Sequence, residues 1–140
     1  MAAPTPSIST YRGQILFVED EPTLQMFIES VLVSRGYRVI SASDGLEALD
    51  QFNEHGRTLS AVLTDLHIPR LNGLELVRAI RARDPDIPIV IASGFLSQES
   101  VDEFRGLNVA AFLQKPCPVG RLLRTISNVI GRPKTSGPAQ

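Results

Sequence analysis

The fold is decided by Leu63-Thr64-Asp65-Leu66-His67-Ile68-Pro69-Arg70-Leu71-Asn72-Gly73. The apolar residues Ala61, Val62 and Leu63 deliver a single carboxylate, Asp65, to the point where a strand should stop. Pro69 and Gly73 then turn the chain, and Leu74, Val77 and Ile80 repeat at helical spacing. A strand that is apolar at nearly every position is covered on both faces, as in a parallel sheet whose crossovers are helices. Asp65 is therefore expected at the rim of a buried sheet, beside a turn.

The same unit recurs on both sides. Ile15-Leu16-Phe17-Val18 is a continuous apolar run ending in Glu19-Asp20-Glu21, and Pro22 suits the first turn of a helix. Leu24, Phe27, Ile28, Val31 and Leu32 mark one face of that helix, which Gly36 stops. Residues 37–42 read as a second strand whose weaker, alternating apolarity suits a sheet edge. Asp44 is placed to cap a helix carrying Leu46, Leu49 and Phe52. Further strands are expected at 59–64, 87–92 and 109–113. Ser97 can cap a short fourth helix carrying Val101, Phe104 and Leu107. Val119, Leu122, Leu123, Ile126, Val129 and Ile130 give the last helix a strong apolar stripe. Strands alternating with helices of this length imply a parallel sheet with helices on both faces.

The whole pattern fits one domain, residues 13–130, with a disordered leader over 1–12 and a disordered tail or linker over 131–140. The 140 residues are 43% hydrophobic and 21% charged, with a formal net charge of -1. That lacks the basic excess expected of nucleic-acid or anionic-membrane binding. No apolar run approaches the ~18 residues of a membrane span. The lone cysteine, Cys117, cannot form an internal disulfide, so a cytoplasmic location is expected. The stretch after residue 130 reads as a tail and not as an output domain.

In a parallel sheet the carboxyl ends of all strands lie along one edge, where ligands bind. Here they bring Glu19-Asp20, Asp65, Ser93 and Lys115 to that edge. Each has an ordinary explanation taken singly. Asp65 can be a turn cap, Glu19-Asp20-Glu21 a capping cluster, Ser93 a loop serine and Lys115 a surface lysine. Together they match phosphoryl chemistry. Glu19, Asp20 and Asp65 offer Mg²⁺ its preferred oxygen donors, and Asp65 is a nucleophile of the kind that forms aspartyl-phosphates. Lys115 and the metal would neutralise the phosphoryl oxygens, with Ser93 donating to one of them. An Asp-nucleophile phosphatase of the haloacid-dehalogenase type is a rival, but it wants an Asp where His67 stands. A binding-only domain without phosphorylation is a second rival, disfavoured by the complete set of groups.

The motifs Ile15-Leu16-Phe17-Val18-Glu19-Asp20-Glu21-Pro22, Ser43-Asp44-Gly45-Leu46-Glu47-Ala48-Leu49 and Leu63-Thr64-Asp65-Leu66-His67-Ile68-Pro69 resemble the response-regulator receiver family. Gly73-Leu74-Glu75-Leu76, Ile91-Ala92-Ser93-Gly94 and Lys115-Pro116 extend the resemblance over the whole domain. It implies a flavodoxin-like (βα)5 three-layer sandwich with parallel strand order 2-1-3-4-5. It also implies Asp65 as phosphoacceptor, and Glu19, Asp20, Asp65 and the His67 backbone carbonyl as Mg²⁺ ligands. Ser93 and Phe112 would be the switch residues, Lys115 the active-site lysine, and the bond before Pro116 cis.

A sensor histidine kinase, or a histidine phosphotransfer protein, would be the phosphoryl partner. A downstream protein effector would read the fourth helix, fifth strand and fifth helix. Ala92-Ser93-Gly94-Phe95 and the Arg12-Gly13 lead-in are similar to receivers of hybrid sensor kinases. Three positions depart from the commoner family residues: Glu19 for Asp, Ser93 for Thr and Phe112 for Tyr.

Overall fold

The structure, a computed structural model, describes residues 11–131. The expected leader and tail lie almost wholly outside the described residues. Five strand–helix units follow one another: β1 (Gly13–Val18), α1 (Pro22–Ser34), β2 (Tyr37–Ala42), α2 (Gly45–His55), β3 (Ala61–Thr64), α3 (Gly73–Arg83), β4 (Ile89–Ser93), α4 (Gln98–Asp102), β5 (Ala111–Gln114) and α5 (Val119–Gly131). All neighbouring strands are parallel, in the order β2-β1-β3-β4-β5. This is the expected flavodoxin-like order, with β2 at an edge.

Side chains alternate across a strand, so β1 serves two cores at once. Leu16 and Val18 join Val62, Ile89, Ile91 and the helices α2 and α3 on one face. Ile15 and Phe17 join Leu63, Val90 and the helices α1 and α5 on the other. Helix caps follow the expected chemistry: Asp44 accepts the Glu47 N–H and Ser97 accepts the Ser100 N–H. An additional capping box, Asn72 with Glu75, starts α3.

Several expected boundaries move. β3 begins two residues late because a 3-10 turn over Gly56–Thr58 ends at Leu59, whose N–H bonds the Gly56 carbonyl. β4 begins after Pro88, which has no N–H to give a ladder, and it continues through Ser93. β5 begins after Asn108, which has a left-handed backbone (φ 57°). The apolar faces are also narrower than the periodicity suggests. Phe27 is 51% exposed and Leu46 40% exposed, and only Leu32 of α1 is buried. Phe104 is buried but lies beyond the short α4. Among the described residues no helix is long and apolar enough to cross a membrane.

Two glycines fix the loop after Asp65. A Cβ on Gly45, at the start of α2, would lie 1.9 Å from the Leu71 carbonyl oxygen. The Gly45 N–H also donates to the Pro69 carbonyl at 3.1 Å. A Cβ on Gly73 would lie 2.8 Å from the Asp65 carbonyl oxygen. The β3–α3 loop is therefore clamped between α2 and α3, with Arg70 held at φ 73° and its guanidinium 3.7 Å from Asp44.

Gly45→Ala is expected to lower unfolding stability by about 1–3 kcal/mol, because the clash is with backbone that cannot move independently. Gly120→Ala in α5 meets nothing closer than Arg124 Nη1 at 3.9 Å. That change should leave stability unchanged or raise it by up to about 1 kcal/mol. Urea titration of both variants checks the contrast.

Candidate functional site

Asp65 follows β3 directly and is fixed at every polar atom. Its N–H donates to the Val18 carbonyl at 3.3 Å, and its own carbonyl accepts the buried Thr64 hydroxyl at 2.9 Å. Oδ1 accepts the His67 backbone N–H at 3.0 Å, and Oδ2 accepts Lys115 Nζ at 2.8 Å. Lys115 Nζ also donates to Glu19 Oε1 at 2.7 Å, while Glu19 Oε2 accepts the Glu21 N–H at 3.2 Å. One ammonium therefore joins two carboxylates from the ends of β1 and β3, itself reaching from the end of β5. Glu19 is only 4% exposed. A carboxylate that deep is tolerable only with a partner and hydrogen bonds.

The acidic run divides its labour. Glu21 caps α1 by accepting the Leu24 N–H, Glu19 turns into the site, and Asp20 stands exposed beside it. Ser93 is fully buried at the end of β4, and its hydroxyl accepts the Phe95 N–H at 3.4 Å. It reaches the expected edge but does not bond Asp65. The Lys115-Pro116 bond is cis. Phe112 is half-buried, its ring edge-on to Phe104 with centroids 5.6 Å apart. The His67 side chain is exposed, and its backbone N–H supplies the contact to Asp65.

Two glutamines escape sequence reasoning. The Gln25 amide donates to the Glu19 carbonyl at 2.8 Å and the Ala42 carbonyl at 3.1 Å, tying α1 to the acidic loop. The Gln114 amide donates to the Gly94 carbonyl at 2.7 Å and the Lys115 carbonyl at 3.2 Å, joining the loops after β4 and β5. Neither residue belongs to a spacing pattern. Only the folded path of the backbone reveals what a side-chain amide can reach.

Among the described residues no three His, Cys, Asp or Glu groups form a ready-made metal cage. Lys115 supplies the positive charge between Glu19 and Asp65 instead. Mg²⁺ needs only one or two protein carboxylates if waters and phosphate oxygens complete its shell. The converging Glu19 and Asp65, with Asp20 beside them, fit such an ion. A cavity of about 430 Å³ opens next to these charges between α1 and α5, walled by Phe17, Leu24, Phe27, Ile28 and Leu122.

Burial alone pulls the Lys115 ammonium toward a lower pKa. Hydrogen bonds to Asp65 and Glu19, and their negative charge, outweigh that and raise it above the ordinary lysine value. A raised folded-state pKa stabilises the fold at all pH values below the unfolded lysine value of about 10.4. That contribution disappears as pH rises through the folded value. Lys115→Met should lose about 1–2 kcal/mol at pH 7. The gap between wild type and variant should close above a pH of about 10.4. Urea melts across pH 7–11 measure it, and a pH-independent gap would contradict the ion-pair assignment.

The family description "Response regulator receiver domain" matches residues 15–127. The chain is 32% identical to the sensor kinase CckA of Brucella abortus over 116 residues, covering 83% of this chain and 12% of CckA. It is 29% identical to the polar-differentiation response regulator DivK of Brucella anthropi, covering 84% of this chain and 95% of DivK. The chain thus spans about an eighth of one relative and nearly all of the other. A crystal structure of a response regulator receiver domain protein from Clostridium thermocellum superposes with a TM-score of 0.81 at 28% identity, covering 86% of this chain and 95% of that one. With strand ends, lysine bridge and family description in agreement, the chain belongs to the response regulator receiver domains of two-component signalling.

Proposed function

We propose that Asp65 accepts a phosphoryl group from a phosphohistidine on a sensor histidine kinase or histidine phosphotransfer protein. The observation that carries this reading is the Lys115 ammonium held between Asp65 and Glu19 at the carboxyl edge of the sheet. An Asp65 carboxylate oxygen attacks phosphorus in line, an O–P bond forms, and the P–N bond to the donor imidazole breaks. Asp65 Oδ1 already accepts the His67 N–H, which fixes the plane of the carboxylate. Lys115 moves its hydrogen bond from Asp65 to a phosphoryl oxygen and so neutralises charge that builds there.

Glu19, Asp20, Asp65 and the His67 carbonyl are assigned as the Mg²⁺ ligands. The ion, when bound, adds positive charge at the phosphoryl oxygens. Ser93 donates its hydroxyl to another phosphoryl oxygen, which pulls on the loop that Gln114 ties to Lys115. Phe112 then repacks, and a protein effector reads α4, β5 and α5. The short α4, with no fully buried residue, is an element of low local stability suited to that movement. The protein is a signalling module that promotes only its own phosphorylation and dephosphorylation, in the cytoplasm.

The likeness to CckA favours a second reading, in which the chain is the receiver of a hybrid kinase and passes its phosphoryl group to a histidine phosphotransfer partner. The chemistry at Asp65 is the same in both.

With Mg²⁺ and acetyl phosphate, intact-mass measurement should show one added phosphate that is labile to base. EDTA and Asp65→Asn should each abolish it. Equal labelling of Asp65→Asn would sink the assignment. Hydrolysis of an external phosphomonoester at a rate above that of the aspartyl-phosphate would point to a phosphatase instead.

A further inference from the structure

A second hollow lies at the opposite edge of the sheet from Asp65. Arg12 precedes β1, Arg35 follows α1, and Tyr37 is the first residue of β2. With Arg124 and Ser127 of α5 they surround a hollow of about 360 Å³. Three arginines therefore line one small space.

Among the described residues none of the three has a carboxylate within ion-pairing distance. The fifteen acidic side chains of the sequence all lie between residues 19 and 103, within the described residues. None of the ion pairs among the described residues involves Arg12, Arg35 or Arg124. Several other arginines have settled partners. Arg81 donates to the carbonyls of Asp84, Leu107 and Asn108, and Arg70 faces Asp44.

Arg12 is held in place without being neutralised. Its guanidinium lies 5.1 Å from the Tyr37 ring centroid and donates to the Arg35 carbonyl at 3.4 Å and to Ser127 Oγ at 3.2 Å. Its backbone N–H donates to the Gly36 carbonyl at 2.9 Å. Tyr37, the wall beneath it, is 1% exposed. A fixed guanidinium flanked by two further arginines raises the local potential on a chain whose net charge is only -1.

We infer that this hollow binds a small soluble phosphate compound, by a chemistry independent of Asp65. A carboxylate brings one negative charge and is satisfied by one guanidinium fork. Three forks match a phosphate dianion or a polyphosphate, whose oxygens accept bidentate N–H pairs in several directions. The volume admits anything from inorganic phosphate to a nucleoside diphosphate. Arg35 and Arg124 supply the movable clamps, and Arg12 with Ser127 the fixed floor.

The test is titration of the isotope-labelled chain with pyrophosphate in EDTA, followed by amide NMR, with acetate at matched ionic strength as control. Inorganic phosphate and a nucleoside diphosphate form further arms that separate a bare from an esterified ligand. Saturable shifts centred on Gly36, Arg124 and Ser127 are expected, unchanged in Asp65→Asn. Binding should weaken at least tenfold in the Arg35→Ala/Arg124→Ala double variant, whose two sites are exposed and whose urea midpoint checks that it folds. Shifts no larger than those with acetate would overturn the inference, as would shifts centred on Asp65 and Lys115 or equal binding by the double variant.

Discussion

A single ammonium organises this molecule's chemistry. Lys115 stands between a nearly buried Glu19 and the partly buried Asp65, donating to both. Two carboxylates that share one partner repel each other, and the cation between them offsets that repulsion. The lysine is brought there by β5, while its acceptors come from the ends of β1 and β3. The ion pair therefore forms only when the parallel order of the sheet is complete. Fold and reactivity meet at one nitrogen.

Everything around that bridge limits movement of Asp65. Asp65 is hydrogen-bonded through its amide, its carbonyl and both carboxylate oxygens. Gly45 and Gly73 let two helices close on the following loop to distances that no side chain would allow. On the other side of the site the contacts are fewer. The loop after β4 is exposed at Gly94 and Phe95, and α4 is a single short helix. A tightly held Asp65 beside an exposed loop is an arrangement suited to relaying added charge as movement. The Gln114 amide, bonded to both Gly94 and Lys115, ties that loop to the lysine strand.

The strand order 2-1-3-4-5 came with the resemblance to the receiver family. The alternation of strands and helices and the edge carrying Glu19, Asp65, Ser93 and Lys115 were legible in the sequence itself. They depend on apolar runs and strand ends, which are local signals. Asp44 and Ser97 were legible as caps for the same reason. What escaped depends on tertiary neighbours. Phe27 and Leu46 fit a helical stripe, yet the sheet beneath covers only part of that stripe. Pro88 and Asn108 delay two strands through backbone chemistry that hydrophobicity does not register. The roles of Gln25 and Gln114 require knowing which carbonyls lie within reach. The division of Glu19, Asp20 and Glu21 into buried ion-pair partner, exposed acid and helix cap depends on where α1 begins, which sequence places only within a residue or two.

On the proposed function, the ends of β1, β3, β4 and β5 act as one phosphoryl site built on Lys115. Amide and side-chain NMR of the chain, with Mg²⁺ and then with beryllium fluoride as a phosphoryl mimic, tests it most directly. Mg²⁺ alone should perturb Glu19, Asp20, Asp65 and His67. Beryllium fluoride should then perturb Ser93, Gly94, Phe95 and the Lys115 ammonium in a single concerted step. Perturbation confined to Asp65 and its immediate neighbours, with the Lys115 and Ser93 signals unmoved, would contradict it.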